Sequence, residues 1–208
     1  SWLLNLCRTP LDPDQVPRLG PVVGARSPGQ SAYDGDVRLP SLAPEQWPGW
    51  LFEETAGWPR FAGRPELRQA GVYGTLANHP ALFAALGPVM AHLLVDISLS
   101  EQQRELVIIR SCARDRGAYP YRQHVSIGRR LGLTDNTLTA LANADAAMLE
   151  PSDQALVTLV DSLHRDGGLT DANWTQARAH FSVEQLFDAT VTAGFYAVIT
   201  FVLSSART

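Results

Sequence analysis

The sequence predicts an all-α protein, and three observations carry the prediction. From residue 66 onward, apolar residues recur at three- and four-residue spacing, the period of a helix buried along one face. Two stretches open with a capping box, Ser100 with Gln103 and Ser182 with Gln185, in which each partner satisfies a backbone N–H of the other. No stretch shows convincing apolar/polar alternation of strand length.

The elements follow in order. Residues 1–65 stand apart, because ten of the 14 prolines fall there (10, 13, 17, 21, 28, 40, 44, 48, 59 and 65). Pro fixes φ and donates no hydrogen bond, so this segment reads as turns and extended connections. Trp47, Trp50, Phe52, Trp58 and Phe61 crowd its second half, and aromatics this dense are rarely left in water. The expectation is an ordered, Pro/Trp-rich N-terminal arm over 1–65 that wraps the body or a neighbouring subunit. The Gly-, Ser- and Asp-rich residues 24–38 are the part best suited to disorder. Residues 66–208 then form the helical domain. The pattern predicts helices over 66–77 and 81–95, parted by Pro80, and over 100–116, ending at Gly117. Pro120 suits the first turn of a helix ending near Gly132. Thr134 caps a helix to about 147, Ser152 one to about 166, stopped by Gly167–Gly168, and Thr170 one to about 180. Ser182 opens the last, whose apolar run is 186–203.

Composition narrows the function. Lys and Arg total 17 and all are arginine, so these residues offer no lysine for a Schiff base, pyridoxal phosphate, biotin, a lipoyl group or a P-loop. The net charge of −4 argues against a nucleic-acid partner or an anionic membrane surface. Two cysteines, Cys7 and Cys112, give no metal-ligand spacing, so no metal is expected, and so few cysteines suit a reducing cytoplasm. The apolar patch in 1–8 is too short for a signal-peptide core and lacks a basic flank. No uninterrupted apolar run approaches 18 residues, so no membrane span is expected.

Two titratable groups sit on inward helix faces. Glu105 shares a face with Ile108, Ile109 and Cys112, and His124 one with Tyr121, Val125, Gly128 and Leu131. A carboxylate on an apolar stripe is costly unless paired. The residues leave two readings open, an acid–base pair or a purely structural ion pair. Cys112 reads as a small buried hydrophobe. His79 and His164 read as structural or exposed. Among the arginines between 114 and 130, Arg122 is a candidate grip for a substrate carboxylate.

The runs LSEQQRELVIIR (99–110) and AYPYRQHVSIGRRLGLTDNTLTAL (118–141) resemble the carboxymuconolactone decarboxylase / alkylhydroperoxidase D family. VYGTLANHPALFAAL before them, and LVDSLHRDGGLTDANW and AGFY after them, extend the resemblance over about 66–204. It implies an AhpD-like helical bundle that assembles as a homo-oligomer, built from trimers or dimers, with the site near subunit contacts. It also implies a relay glutamate at Glu105 and a histidine at His124. In the peroxidase branch two redox cysteines precede that histidine by seven and four residues, where this chain has Gly117 and Pro120. Thiol–disulfide peroxide reduction needs both sulfurs, one to attack and one to resolve, so the resemblance points to the non-redox branch.

That branch implies cofactor-free decarboxylation of a lactone acid. Loss of CO2 beside an unsaturated lactone leaves negative charge on a conjugated system, which needs a proton donor to carbon and donors to the oxyanion. His124 and Glu105 are the expected acid–base pair. Tyr121, Tyr119 and Tyr196 are the expected hydrogen-bond donors to a small-molecule substrate. The expected protein is therefore a cofactor-independent lyase or isomerase acting on a small cyclic acid, lactone or polyketide-like compound. A non-catalytic oligomeric binding or scaffold protein of the same fold is the alternative, and a thiol peroxidase comes third.

Overall fold

The structure is a computed structural model, and it describes residues 37–58, 61, 65–69, 71–115, 118–143 and 145–207. The first half of the expected arm, Cys7, and Arg116 and Gly117 lie outside the described residues. Nine α-helices are described: α1 (Gly49–Ala56), α2 (Gly71–Leu76), α3 (Pro80–Ala91), α4 (Glu101–Arg114), α5 (Ala118–Arg130), α6 (Asp135–Asn143), α7 (Pro151–Asp166), α8 (Asp171–Arg178) and α9 (Val183–Ala206). No strand occurs among the described residues. The all-α expectation is met, with helix ends mostly within a few residues of those read from the sequence. Both capping boxes are present in the hydrogen bonds: Gln103 N–H donates to Ser100 Oγ at 3.2 Å, and Gln185 N–H to Ser182 Oγ at 3.2 Å. Gly132 and Gly167 take positive φ of 96° and 76° at helix C-termini, as expected of αL caps. At α7, Glu150 rather than Ser152 is the N-cap, and Pro151 starts the helix.

The described chain divides into two compact units, residues 37–97 with 202–207, and residues 98–201. In the first, Trp58 and Trp47 meet the Phe83 ring edge-on at 5.3 and 5.5 Å, and Phe61 meets Tyr73 at 4.9 Å. Trp47, Trp58 and Phe61 are buried, whereas Trp50 and Phe52 stay exposed. The segment expected to be extended contains α1. Leu51 and Thr55, four residues apart, are its buried positions. Two turns between Pro48 and Gly57 give too short a period to detect in sequence; packing of those two side chains decides it. The predicted helix at 66–77 is a 3-10 turn, Pro65–Gln69, followed by α2. The predicted helix at 81–95 is α3 running, after Pro88, into a π-turn at His92–Asp96.

In the second unit α4 is central. Every residue from Arg104 to Ala113 is buried, and α4 packs against α5, α6 and α7. Three polar ties hold this all-helical core in register. The Asp188 carboxylate on α9 accepts from the Ser98 N–H at 2.8 Å and the Ser98 hydroxyl at 2.6 Å. Arg110 donates from Nε and Nη2 to Asp161 on α7 at 2.8 and 3.0 Å, and from Nη1 to the Leu141 carbonyl on α6 at 2.7 Å. Gln102 on α4 donates to the Leu131 carbonyl at 2.6 Å. By length and composition alone α9 is apolar enough to cross a membrane, although Thr and Gly interrupt its apolar run, a test that the core helix of a helical bundle also passes. Half of its most apolar stretch is buried inside the protein.

Candidate functional site

Glu105 and His124 meet. Helix α4 places Glu105 one turn in from its Ser100 cap, and α5 presents His124 across the α4/α5 contact. The His124 Nδ1–H donates to Glu105 Oε2 at 2.6 Å, a short, charge-assisted bond. The Glu105 side chain is 1% exposed and that of His124 13%. Burial by itself raises the Glu105 carboxyl. Its contacts with His124 and Arg104 outweigh that and hold it below its ordinary value, so it is a carboxylate. A carboxylate only accepts, so the shared hydrogen belongs to Nδ1. His124 Nε2 then holds either a lone pair or a proton, and it makes no hydrogen bond among the described residues.

Arg104, which spacing did not flag, completes the pair. Its Nε and Nη2 both donate to Glu105 Oε1 at 3.1 Å, leaving Oε2 to His124. Adjacent helical residues point about 100° apart, so periodicity gives no reason to join them. The long arginine stem folds back along α4 and makes the contact all the same.

The other expected residues fall at different distances from this centre. Tyr196 on α9 sets its ring edge-on to the His124 imidazole, with centroids 4.9 Å apart. Tyr121 is buried, and burial is the chief reason its phenol is pushed up to about 12; Arg129, Cys112 and Arg110 are the charged or ionisable groups that bear on it. A phenol so hard to ionise remains a hydrogen-bond donor at neutral pH. The Tyr119 oxygen accepts from Gln123 Nε2 at 2.7 Å, one turn along α5. Arg122 is exposed and makes no hydrogen bond or ion pair among the described residues. It lies two residues from His124, about 200° round the helix, so the fold does not bring it to the pair.

Cys112 is free and fully buried. Burial pushes its thiol up, only partly offset by the neighbouring Thr200 hydroxyl, so it stays protonated and unreactive. Pro120 stands one turn before His124, where a redox sulfur would be needed. A second histidine–carboxylate contact joins α7 to the end of α4, His164 Nδ1 to Asp115 Oδ1 at 3.1 Å, the structural of the two places expected for His164. Among the described residues, no arginine backs it as Arg104 backs Glu105. Among the described residues, no three His, Cys, Asp or Glu side chains gather closely enough to hold a metal ion.

This assembly is an all-helical bundle with a buried, arginine-backed Glu–His pair between its fourth and fifth helices. Two solved structures share the fold. One is a protein of unknown function from Agrobacterium tumefaciens, assigned provisionally to antioxidant defence as AhpD; it is 20% identical, with a TM-score of 0.59 over 64% of this chain and 92% of its own. The other is an uncharacterized peroxidase-related protein from Ralstonia eutropha JMP134 with an alkylhydroperoxidase AhpD core; it is also 20% identical, with a TM-score of 0.67 over 82% of this chain and 90% of its own. No protein-family model and no curated protein matches the sequence. The fold is AhpD-like; at this identity the likeness does not reach the chemistry.

Proposed function

We propose that the protein is a cofactor-independent acid–base enzyme, a lyase or isomerase acting on a small cyclic acid, lactone or polyketide-like compound. The observation that carries the reading is the 2.6 Å His124–Glu105 contact, in which Nδ1 is committed to a buried carboxylate while Nε2 makes no hydrogen bond among the described residues. An imidazole anchored at one nitrogen exchanges protons at the other, with its ring plane fixed by Glu105 and by the Tyr196 edge contact. In a decarboxylation the C–C bond to the carboxylate breaks and CO2 leaves. The electron pair delocalises into the lactone, and the Nε2 proton passes to carbon, to be replaced from solvent. Tyr196, and Tyr119 or Tyr121, serve as donors to the oxygen where charge develops.

Peroxide reduction by thiol–disulfide exchange is disfavoured by the residues themselves. Cys112 is buried and held protonated, and positions 117 and 120 carry no sulfur. The reading is tested by screening unsaturated lactone acids and cyclic β-keto acids for heat stabilisation, since a ligand of the native state raises its apparent stability. Hits are then assayed for CO2 release and for deuterium uptake from heavy water. Binding without turnover or exchange by any hit would favour the alternative, a binding or scaffold protein on this fold. A homo-oligomer in a reducing, cytoplasmic setting fits the reading.

A further inference from the structure

Among the described residues three arginines are buried, and two of them meet a carboxylate. Arg104 pairs with Glu105, and Arg110 with Asp161. Arg68, 4% exposed, meets none among the described residues. Glu53 and Glu54 on α1 are exposed and form no ion pair with it. Burial lowers its guanidinium from the ordinary value, and no described neighbouring charge opposes the fall. A cation taken out of water without a counter-charge is costly, so other contacts must hold it there.

Those contacts are aromatic rings and one hydroxyl. The guanidinium carbon of Arg68 lies 4.5 Å from the Phe52 ring centroid and 5.3 Å from that of Phe61, both within cation–π reach. Its Nε donates to Thr55 Oγ1 at 3.2 Å, and that hydroxyl donates in turn to the Phe52 carbonyl at 3.1 Å. Phe52 and Thr55 stand three apart on α1, so one helix face supplies both a ring and a hydroxyl. Arg68 comes from the 3-10 turn Pro65–Gln69, and all these residues belong to the first compact unit. With the rings against it and Nε taken, the guanidinium has one edge left, Nη1 with Nη2. Neither nitrogen donates to an acceptor among the described residues, and neither is sealed from solvent. That edge offers two parallel N–H groups at the spacing of the two oxygens of a carboxylate. We propose that the open edge of Arg68 binds the carboxylate of a small organic acid. One guanidinium, with no second cation beside it among the described residues, matches a single negative charge better than a doubly charged phosphate. The rings and Thr55 fix the fork before a ligand arrives, so little ordering remains to be done on binding. Glu105 and His124 belong to the other unit, and the proposal does not rest on their being catalytic.

Titration of the full chain with 4-fluorobenzoate, followed by fluorine NMR line broadening with circular dichroism as the folding check, tests this. The wild-type chain should bind 4-fluorobenzoate and ignore the neutral 4-fluorobenzamide. Arg68→Met keeps an apolar stem against the rings and removes the fork, so binding should weaken about tenfold or more. Arg68→Lys keeps the charge without the fork and should also bind more weakly; affinity equal to wild type would overturn the bidentate contact. Phe52→Ala, at a position 42% exposed, should keep the fold and weaken binding about threefold or more by uncovering the guanidinium. That variant carries the test if Arg68→Met does not fold, and undiminished binding in it overturns the proposal. The candidate site in the other unit is also proposed to take acids, so His124→Asn is the control and should bind as wild type does. Loss of binding in His124→Asn with retention in Arg68→Met would assign the acid to α4 and α5 and overturn the Arg68 site. Displacement of 4-fluorobenzoate by an equal concentration of inorganic phosphate would overturn the choice of a carboxylate, and no binding by the wild-type chain would overturn the proposal outright.

Discussion

Glu105 alone on an apolar stripe would be a liability worth several kcal/mol, and removing one partner of such a buried pair leaves the other charge uncompensated. Arg104 and His124 remove that cost by occupying one carboxylate oxygen each. If the three act as a unit in proton transfer, His124→Asn should lower turnover about 100-fold or more. Glu105→Gln should lose nearly as much, and the double variant little beyond either single one, since members of a catalytic unit are not additive. Kinetics on the four proteins decide it; full activity in folded His124→Asn would end the catalytic role. The same carboxylate makes a prediction about acid. Its folded value lies below the ordinary 4.5, so its stabilising charge is complete above that pH and is lost as pH falls through the depressed value. In urea titrations the stability gap between wild type and Glu105→Gln should stay constant above 4.5 and shrink below it. A gap unchanged down to about pH 2 would mean that the carboxyl is not depressed.

At the scale of single elements, the caps and two close approaches carry testable stability. The Ser100–Gln103 box satisfies N–H groups at the start of α4 that have no partner within the helix. Ser100→Ala should cost about 1 kcal/mol in chemical unfolding. Helix α3 lies so close to Trp58 that a Cβ on Gly87 would overlap the indole, and a Cβ on Gly74 in α2 would overlap the backbone at Leu42. Gly87→Ala should therefore destabilise by about 1–3 kcal/mol despite the gain in helix propensity. Gly49→Ala, with nothing within 4 Å of the added carbon, should be neutral or slightly stabilising. Equal effects at the two glycines would show that close packing is not what selects Gly87.

In the second unit a buried cation ties three helices together. Arg110, 2% exposed, reaches from α4 to a carboxylate on α7 and a carbonyl on α6. Burial is the main influence lowering its guanidinium's pKa, with Asp161 pulling the other way, so the pair is held by geometry in a place that disfavours isolated charge. Asp161→Ala leaves that cation unpaired and should cost about 3 kcal/mol or more in equilibrium unfolding, well beyond a surface ion pair. A loss under about 1 kcal/mol would show Arg110 to be satisfied by Leu141 and water instead.

The sequence by itself determined the helices whose signals are local. Apolar positions at 3.6-residue spacing place side chains on one face wherever the chain goes, and the boxes at Ser100 and Ser182 need only residues three apart. The same spacing marked Glu105 and His124 as inward-facing. Their joining was decided only by tertiary structure, since two residues 19 apart meet only because α4 and α5 pack. The Arg104 contact is set by rotamer and burial, which spacing does not encode. Helix α1 is too short for its period to emerge, and packing of Leu51 and Thr55 supplies what propensity lacks. The Arg110–Asp161 tie spans 51 residues, and nothing in the sequence near Arg110 names its partner. Local patterns specify elements because backbone geometry repeats over a few residues; the pairing of side chains from separate elements is chosen by the packing of the whole core.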